Sequence, residues 1–151
     1  MSKKWDDRYS LIATQIAEWS SCRRRKVGAV IVKDNRIVAT GYNGAPSGVE
    51  SCISRGYCVR EQQGVPSGQR HELCYAVHAE QNAIAQAAKL GVGIDGATMY
   101  CTHQPCVLCA KLMVNSGIRR VVFRHGYPDE FALEILKDGG IKIDSGEKIE
   151  A

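Results

Sequence analysis

No stretch of this chain approaches the roughly twenty consecutive apolar residues needed to cross a bilayer. Its amino terminus, Met1-Ser2-Lys3-Lys4-Trp5-Asp6-Asp7, lacks the apolar core of a secretory signal, so a cytoplasmic protein without membrane contact is expected. An excess of one charge is missing too. The 20 basic residues face 16 acidic ones, and a net +4 neither marks a nucleic-acid protein nor opposes an anionic substrate. Disorder finds no support, because 44% hydrophobic and 24% charged residues are ordinary for a globular chain. At 151 residues, a single domain spanning 1–151 is expected, large enough to bury roughly two thirds of its unfolded surface.

What the chain does have is cysteine, seven of them. A reducing compartment disfavours disulfides, and clustered thiolates there more often bind metal. Two cysteines stand in Pro105-Cys106-Val107-Leu108-Cys109, downstream of His78-Ala79-Glu80. One imidazole and two thiolates make three protein ligands for zinc. The fourth tetrahedral position is left for water, as in a catalytic site. Glu80, two residues beyond His78, is placed to handle protons beside that water. A lone CxxC is weak, but the combination of His-x-Glu with Pro-Cys-x-x-Cys is the signature of zinc nucleobase deaminases.

The pattern of elements alternates. A first helix is expected from a cap at Asp6 or Asp7 to about Ser21, with Ile12, Ile16 and Trp19 on one side. Residues 27–32 and 37–42 read as strands joined by a tight turn at Asp34-Asn35. From 43 to 74 there is little periodicity, and a loop that long is unusual unless it is functional or held by something. A second helix is expected from near His78 to before Gly91, a strand over 98–102, and a third helix over 106–116 stopped by Gly117. A strand over 121–124, a fourth helix over 130–137 and a short strand over 141–143 follow, then a polar, loose tail after Asp144. The alternation predicts an α/β layered domain with helical crossovers. His78 and Cys106 both fall at helix starts, where free N–H groups favour thiolates and developing anions. Cys106 and Cys109 lie one turn apart, so both sulfurs reach one ion.

With Val27-Gly28-Ala29-Val30 on the first strand and Gly41-Tyr42-Asn43-Gly44-Ala45-Pro46-Ser47-Gly48 after the second, these motifs resemble the deoxycytidylate deaminases of the zinc-dependent cytidine deaminase superfamily. The likeness covers nearly the whole length. It implies a three-layer α/β/α fold with a five-stranded mixed sheet, and hydrolysis of dCMP to dUMP and ammonia, supplying dUMP for thymidylate synthesis. It also implies a homohexamer and dCTP and dTTP as effectors, although no residue pattern specifies either. By the same resemblance Asn43 contacts the nucleotide and Tyr127 lies near it, with Ser47 as a hydroxyl donor to phosphate. The bland alternative for 41–48 is a turn.

A second, structural zinc would account for the long loop. The resemblance assigns it Cys22, Cys52, His71 and Cys74, with Cys58 in reserve, a closed set of four that suits a structural role. Cys101 reads as core. Arg23-Arg24-Arg25-Lys26 is either a solvated helix end or a phosphate or interface contact. His103 lines the pocket or caps a strand, and His125 sits at the surface or the rim. The rival readings are a deaminase of another base or of tRNA, a DNA-uptake protein with this domain, and a zinc scaffold without catalysis. The lack of a larger basic surface disfavours tRNA, and a scaffold has no use for Glu80.

Overall fold

A computed structural model describes residues 2–145. The loose tail expected after Asp144 falls, past Ser145, outside the described residues. Five strands form one mixed sheet in the order β2-β1-β3-β4-β5. β1 (Gly28–Lys33) pairs antiparallel with both β2 (Arg36–Tyr42) and β3 (Thr98–His103). Parallel pairing then joins β3 to β4 (Arg120–His125) and β4 to β5 (Lys142–Ser145). The change of direction follows from the connections. Asp34 and Asn35, both at positive φ (51° and 58°), make the tight turn whose twist suits a hairpin. The later strands are joined by helices, and a crossover of that kind returns the chain parallel.

Two apolar layers cover the sheet. Ala29, Ile31, Met99, Cys101, Val121 and Phe123 face α4 (Ala79–Leu90), α5 (Val107–Asn115) and α6 (Glu130–Asp138). The alternate residues Val30, Val32, Tyr100 and Val122 face α1 (Lys3–Ala17). The central strands are therefore buried on both sides, the period-2 consequence of a sheet sandwiched between helices. This is the expected α/β/α architecture.

Helix α1 departs from its sequence reading at both ends. It starts at Lys3 after Ser2, with Asp6 inside it, because the Asp6 carboxylate is used across the fold. Tyr100 Oη donates to it at 2.7 Å, and Arg120 donates through two nitrogens at 2.8 and 2.7 Å. The helix ends at Ala17, since Ser20 turns its hydroxyl to the carbonyls of Asn43 and Arg25 (2.8 and 3.3 Å). Trp19 thus leaves the apolar side assigned to it and is 64% exposed, edge-on to Tyr42.

The aperiodic stretch is not featureless. It holds one-turn helices α2 (Cys52–Arg55) and α3 (Val59–Gln62) and a 3-10 turn at His71–Leu73. Gly44 and Val77 exchange backbone hydrogen bonds (3.2 and 2.8 Å), which pins the loop's two ends together beside the start of α4.

Candidate active site

Two helix starts meet beyond the carboxyl ends of β3 and β4, the usual place for a site in an open α/β sheet. His78 is the N-cap of α4, fixed by Gln81, whose Oε1 accepts from His78 N at 3.0 Å. Cys106 is the N-cap of α5. Asp129 holds that second start in place: one carboxylate oxygen accepts from Val107 N at 3.0 Å while the other caps α6 through Ala132 N at 2.9 Å. Gln104 Nε2 donates to the Asp129 carbonyl at 3.0 Å and locks the same corner.

His78 Nδ1 lies 3.3 Å from Cys109 Sγ and 3.4 Å from Cys106 Sγ. Zinc bonds of about 2.3 Å to sulfur and about 2.0 Å to nitrogen, at the tetrahedral angle, set such atoms about 3.5 Å apart. The three side chains therefore fit one zinc ion, with a fourth position open. Glu80 is buried in the first turn of α4 beside them. Burial raises its carboxyl above the ordinary range despite the nearby imidazole. The Cys106 thiol is pulled down to about 4, first by the hydrogen bond from Cys109 and against burial. Cys109 is pushed up by that same bond and by burial, so one thiolate and one thiol share the pair until a cation takes both sulfurs. Burial alone would lower the His78 imidazole, but the Cys106 sulfur beside it carries it above its usual value.

These groups form one wall of a cleft whose empty space, open mouth included, is about 690 Å³. Asn43, Arg24, Arg25, Arg60, Gly68, His103, Gln104 and Tyr127 line the rest. Asn43 is buried, its Nδ2 donating to the Arg25 carbonyl (2.8 Å) and its Oδ1 accepting from Val27 N (2.9 Å). It braces the basic segment against the cleft. Tyr127 presents its ring to Arg25 (5.4 Å) and its hydroxyl to Gly68, where a Cβ would collide with it. His103 is pushed down to about 4 by burial and then by Arg25 and His125, so it faces the cleft neutral at pH 7. Arg60 is 8% exposed; one nitrogen donates to the Gln69 carbonyl (2.9 Å), while its Nε has no protein partner.

Three placements differ from expectation. Ser47 is exposed in a turn closed by Val49 N donating to the Pro46 carbonyl (2.9 Å), and other residues build the cleft wall. His71, expected among the loop thiols, instead lies against the first group. Its Nδ1 is 3.3 Å from His78 Nε2, and His71, His78 and Cys106 offer atoms all within 4.8 Å of one another. Cys58, held in reserve, lies near enough to Cys52 to act on its thiol, as do Cys74 and Cys22. Burial first, then those three thiols, push the Cys52 thiol up. Arg24 N donates to Cys22 Sγ and Ala76 N to Cys74 Sγ, both at 3.4 Å, the amide support that thiolates take.

Arg60 and Gln104 had no signal in the sequence, whereas Asp129 stands directly before the helix expected over 130–137, where an N-cap belongs. The basic run was visible, but which of its members turn inward was not.

Residues 3–125 match the family model for the cytidine and deoxycytidylate deaminase zinc-binding region. The deoxycytidylate deaminase of Saccharomyces cerevisiae is 38% identical over 95% of this chain, which spans only 45% of the yeast protein's length. That of Mycobacterium phage D29 is 44% identical over 79% of this chain and 93% of its own. A solved structure of the dCMP deaminase of cyanophage S-TIM5, in complex with dCMP and dUMP, superposes with a TM-score of 0.81. It shares 32% identity, with 96% and 98% of the two chains covered.

Proposed function

The chain belongs to the cytidine and deoxycytidylate deaminase zinc-binding family, and from that premise we propose that it hydrolyses dCMP to dUMP and ammonia. One observation carries the reading: His78, Cys106 and Cys109 converge at zinc distances beside the buried carboxyl of Glu80, at an open cleft lined by three arginines. Arg24, Arg25 and Arg60 on the same cleft favour a substrate bearing phosphate over a free base or nucleoside.

Zinc, when bound, supplies a nucleophile at neutral pH by lowering the pKa of a water from about 15.7 toward about 7. The chain's own residues do the rest. Glu80 accepts the proton lost by the attacking water and delivers a proton to ring N3 as oxygen adds to C4. It then takes the remaining proton from the new C4 hydroxyl and passes it to the exocyclic amine, so that the C4–N4 bond breaks, C4 becomes a carbonyl and ammonia leaves. Burial holds the Glu80 carboxyl above the usual carboxylate value, which favours a group that takes up a proton and gives it back. Asn43 and Tyr127 position the nucleotide against this wall.

We further infer a second, structural zinc held by Cys22, Cys52, Cys58 and Cys74, which would tie the long loop to the segment after α1. The same reading extends to one domain over the whole chain and a cytoplasmic homohexamer answering to dCTP and dTTP. Exposed apolar side chains at Leu108, Leu112 and Phe131 support an assembly surface. Among the described residues no helix is long and apolar enough to cross a membrane.

Purified protein incubated with dCMP, CMP, dCTP, deoxycytidine and guanine tests the assignment through ammonia release and product mass. dCMP is expected to turn over fastest. Glu80→Gln should retain zinc and bind dCMP while losing at least about 100-fold in kcat; a near-normal rate would remove Glu80 from the mechanism.

A further inference from the structure

The two nitrogens of His78 look in different directions, and only one faces the thiols. Nδ1 lies between Cys106 and Cys109 at 3.4 and 3.3 Å, whereas Nε2 lies 3.3 Å from His71 Nδ1. A nitrogen that binds a cation carries no proton, so a neutral His78 ligating through Nδ1 has its proton on Nε2. That proton points at His71. His71 Nδ1 must then accept, which places the proton of His71 on its own Nε2.

His71 does not serve the same ion as a fourth ligand. His71 offers an atom within 4.8 Å of those of His78 and Cys106, but it meets His78 through Nε2 (3.3 Å), whereas both sulfurs meet Nδ1, so an ion held by Nδ1 and the two sulfurs leaves His71 facing the other nitrogen. The rings meet edge to face at 78°, with centroids 4.6 Å apart. The segment presenting His71 is itself constrained. Arg70 adopts left-handed backbone (φ 52°), uncommon for a residue with a side chain, Leu73 N donates to the Arg70 carbonyl (3.1 Å), and the buried Arg60 holds Gln69 (2.9 Å).

We propose that His71 is a positioning residue: it accepts the Nε2–H hydrogen bond of His78 and so fixes which nitrogen faces the thiolates. The proposal rests on the reading that zinc sits among His78, Cys106 and Cys109. Partners of this kind orient metal-binding imidazoles, and losing one typically costs about 10- to 100-fold in metal affinity.

The test uses the full chain loaded with zinc. His71→Ala should weaken retention of the Cys106-dependent zinc by about 10- to 100-fold in competition with a chelator. His71→Asn, which offers a carbonyl oxygen where Nδ1 stood, should recover most of that affinity, and His71→Leu should not. In the unsubstituted protein, ¹⁵N spectra of His78 should show the proton on Nε2. Three results would each overturn the proposal: His71→Ala within twofold of the unsubstituted affinity; a His78 ring protonated on Nδ1; or loss in His71→Ala of a different zinc with the Cys106-dependent one intact. Should the alanine variant not fold, the comparison of His71→Asn with His71→Leu decides: equal zinc affinity in the two would overturn the proposal. Zinc binding indifferent to Cys106→Ser would instead refute the metal site itself, and this proposal with it.

Discussion

Replacing Gly41 by alanine adds one methyl group to β2, and the structure says where it goes. The new Cβ would stand 2.5 Å from Ala83 N and nearer still to the Ala79 carbonyl, where ordinary contact begins at about 3.4 Å. Neither neighbour is a side chain that could turn away; both are backbone of α4. Helix and sheet must therefore part by about 1 Å. Such overpacking typically costs about 1–3 kcal/mol. The larger effect is expected in catalysis, because α4 carries His78 and Glu80 while Cys106 and Cys109 ride on α5, anchored separately by Asp129. A shift of about 1 Å between reacting groups can cost about 100-fold in rate. Gly41→Ala should thus lower kcat for dCMP by one to two orders of magnitude and weaken zinc retention, with a loss of about 1–3 kcal/mol in denaturant unfolding. Kinetics, zinc per chain and a urea titration on one preparation read all three. An alanine variant with unchanged kcat and less than about 0.5 kcal/mol of destabilisation would refute the claim that this close approach sets the site's geometry.

On the proposed four-cysteine site, Cys58→Ser should lower the zinc content of dialysed protein from two ions per chain to one while the His78 site stays filled. Metal analysis giving two in the variant would return the fourth place to another residue. Asp6→Ala should destabilise by about 3 kcal/mol, since it strips the half-buried Arg120 of a two-nitrogen partner and Tyr100 of its acceptor. Burial opposes ionisation of Asp6, but the bonds from Arg120 and Tyr100 outweigh it and hold its carboxyl below the usual 3.8. Its contribution is thus complete above the ordinary carboxylate range and fades as pH falls through the lowered value. Unfolding midpoints of the parent and Asp6→Ala should converge only below about pH 4, and convergence at neutral pH would contradict this.

The metal-binding constellation was legible because its spacing is local: one helical turn separates Cys106 from Cys109, and both helix starts announce themselves. Gly91 and Gly117, at φ 69° and 85°, ended α4 and α5 where the sequence placed the stops. The failures share a cause. Trp19 kept helical spacing, but Ser20 found acceptors 5 and 23 residues away and ended the helix first. His71 and Cys58 stand in the same aperiodic loop, and nothing in their spacing tells which thiol or imidazole the backbone turns inward. Arg60 holds the Gln69 carbonyl and Asp129 receives Val107 N through contacts that only the folded chain creates.

The two antiparallel neighbours of β1 are of different kinds. With β2 it makes a hairpin, a contact between residues close in the chain; with β3 it aligns Ala29–Val32 against Thr98–Cys101, some seventy residues on. That second ladder is a seam between a locally assembled front half and a back half built by crossovers. His78 and Glu80 come from within the connection between β2 and β3, and Cys106 and Cys109 from beyond β3, so these residues meet only when the seam is closed. Metal held there would act as a clasp across a contact distant in the chain, linking occupancy of the site to completion of folding.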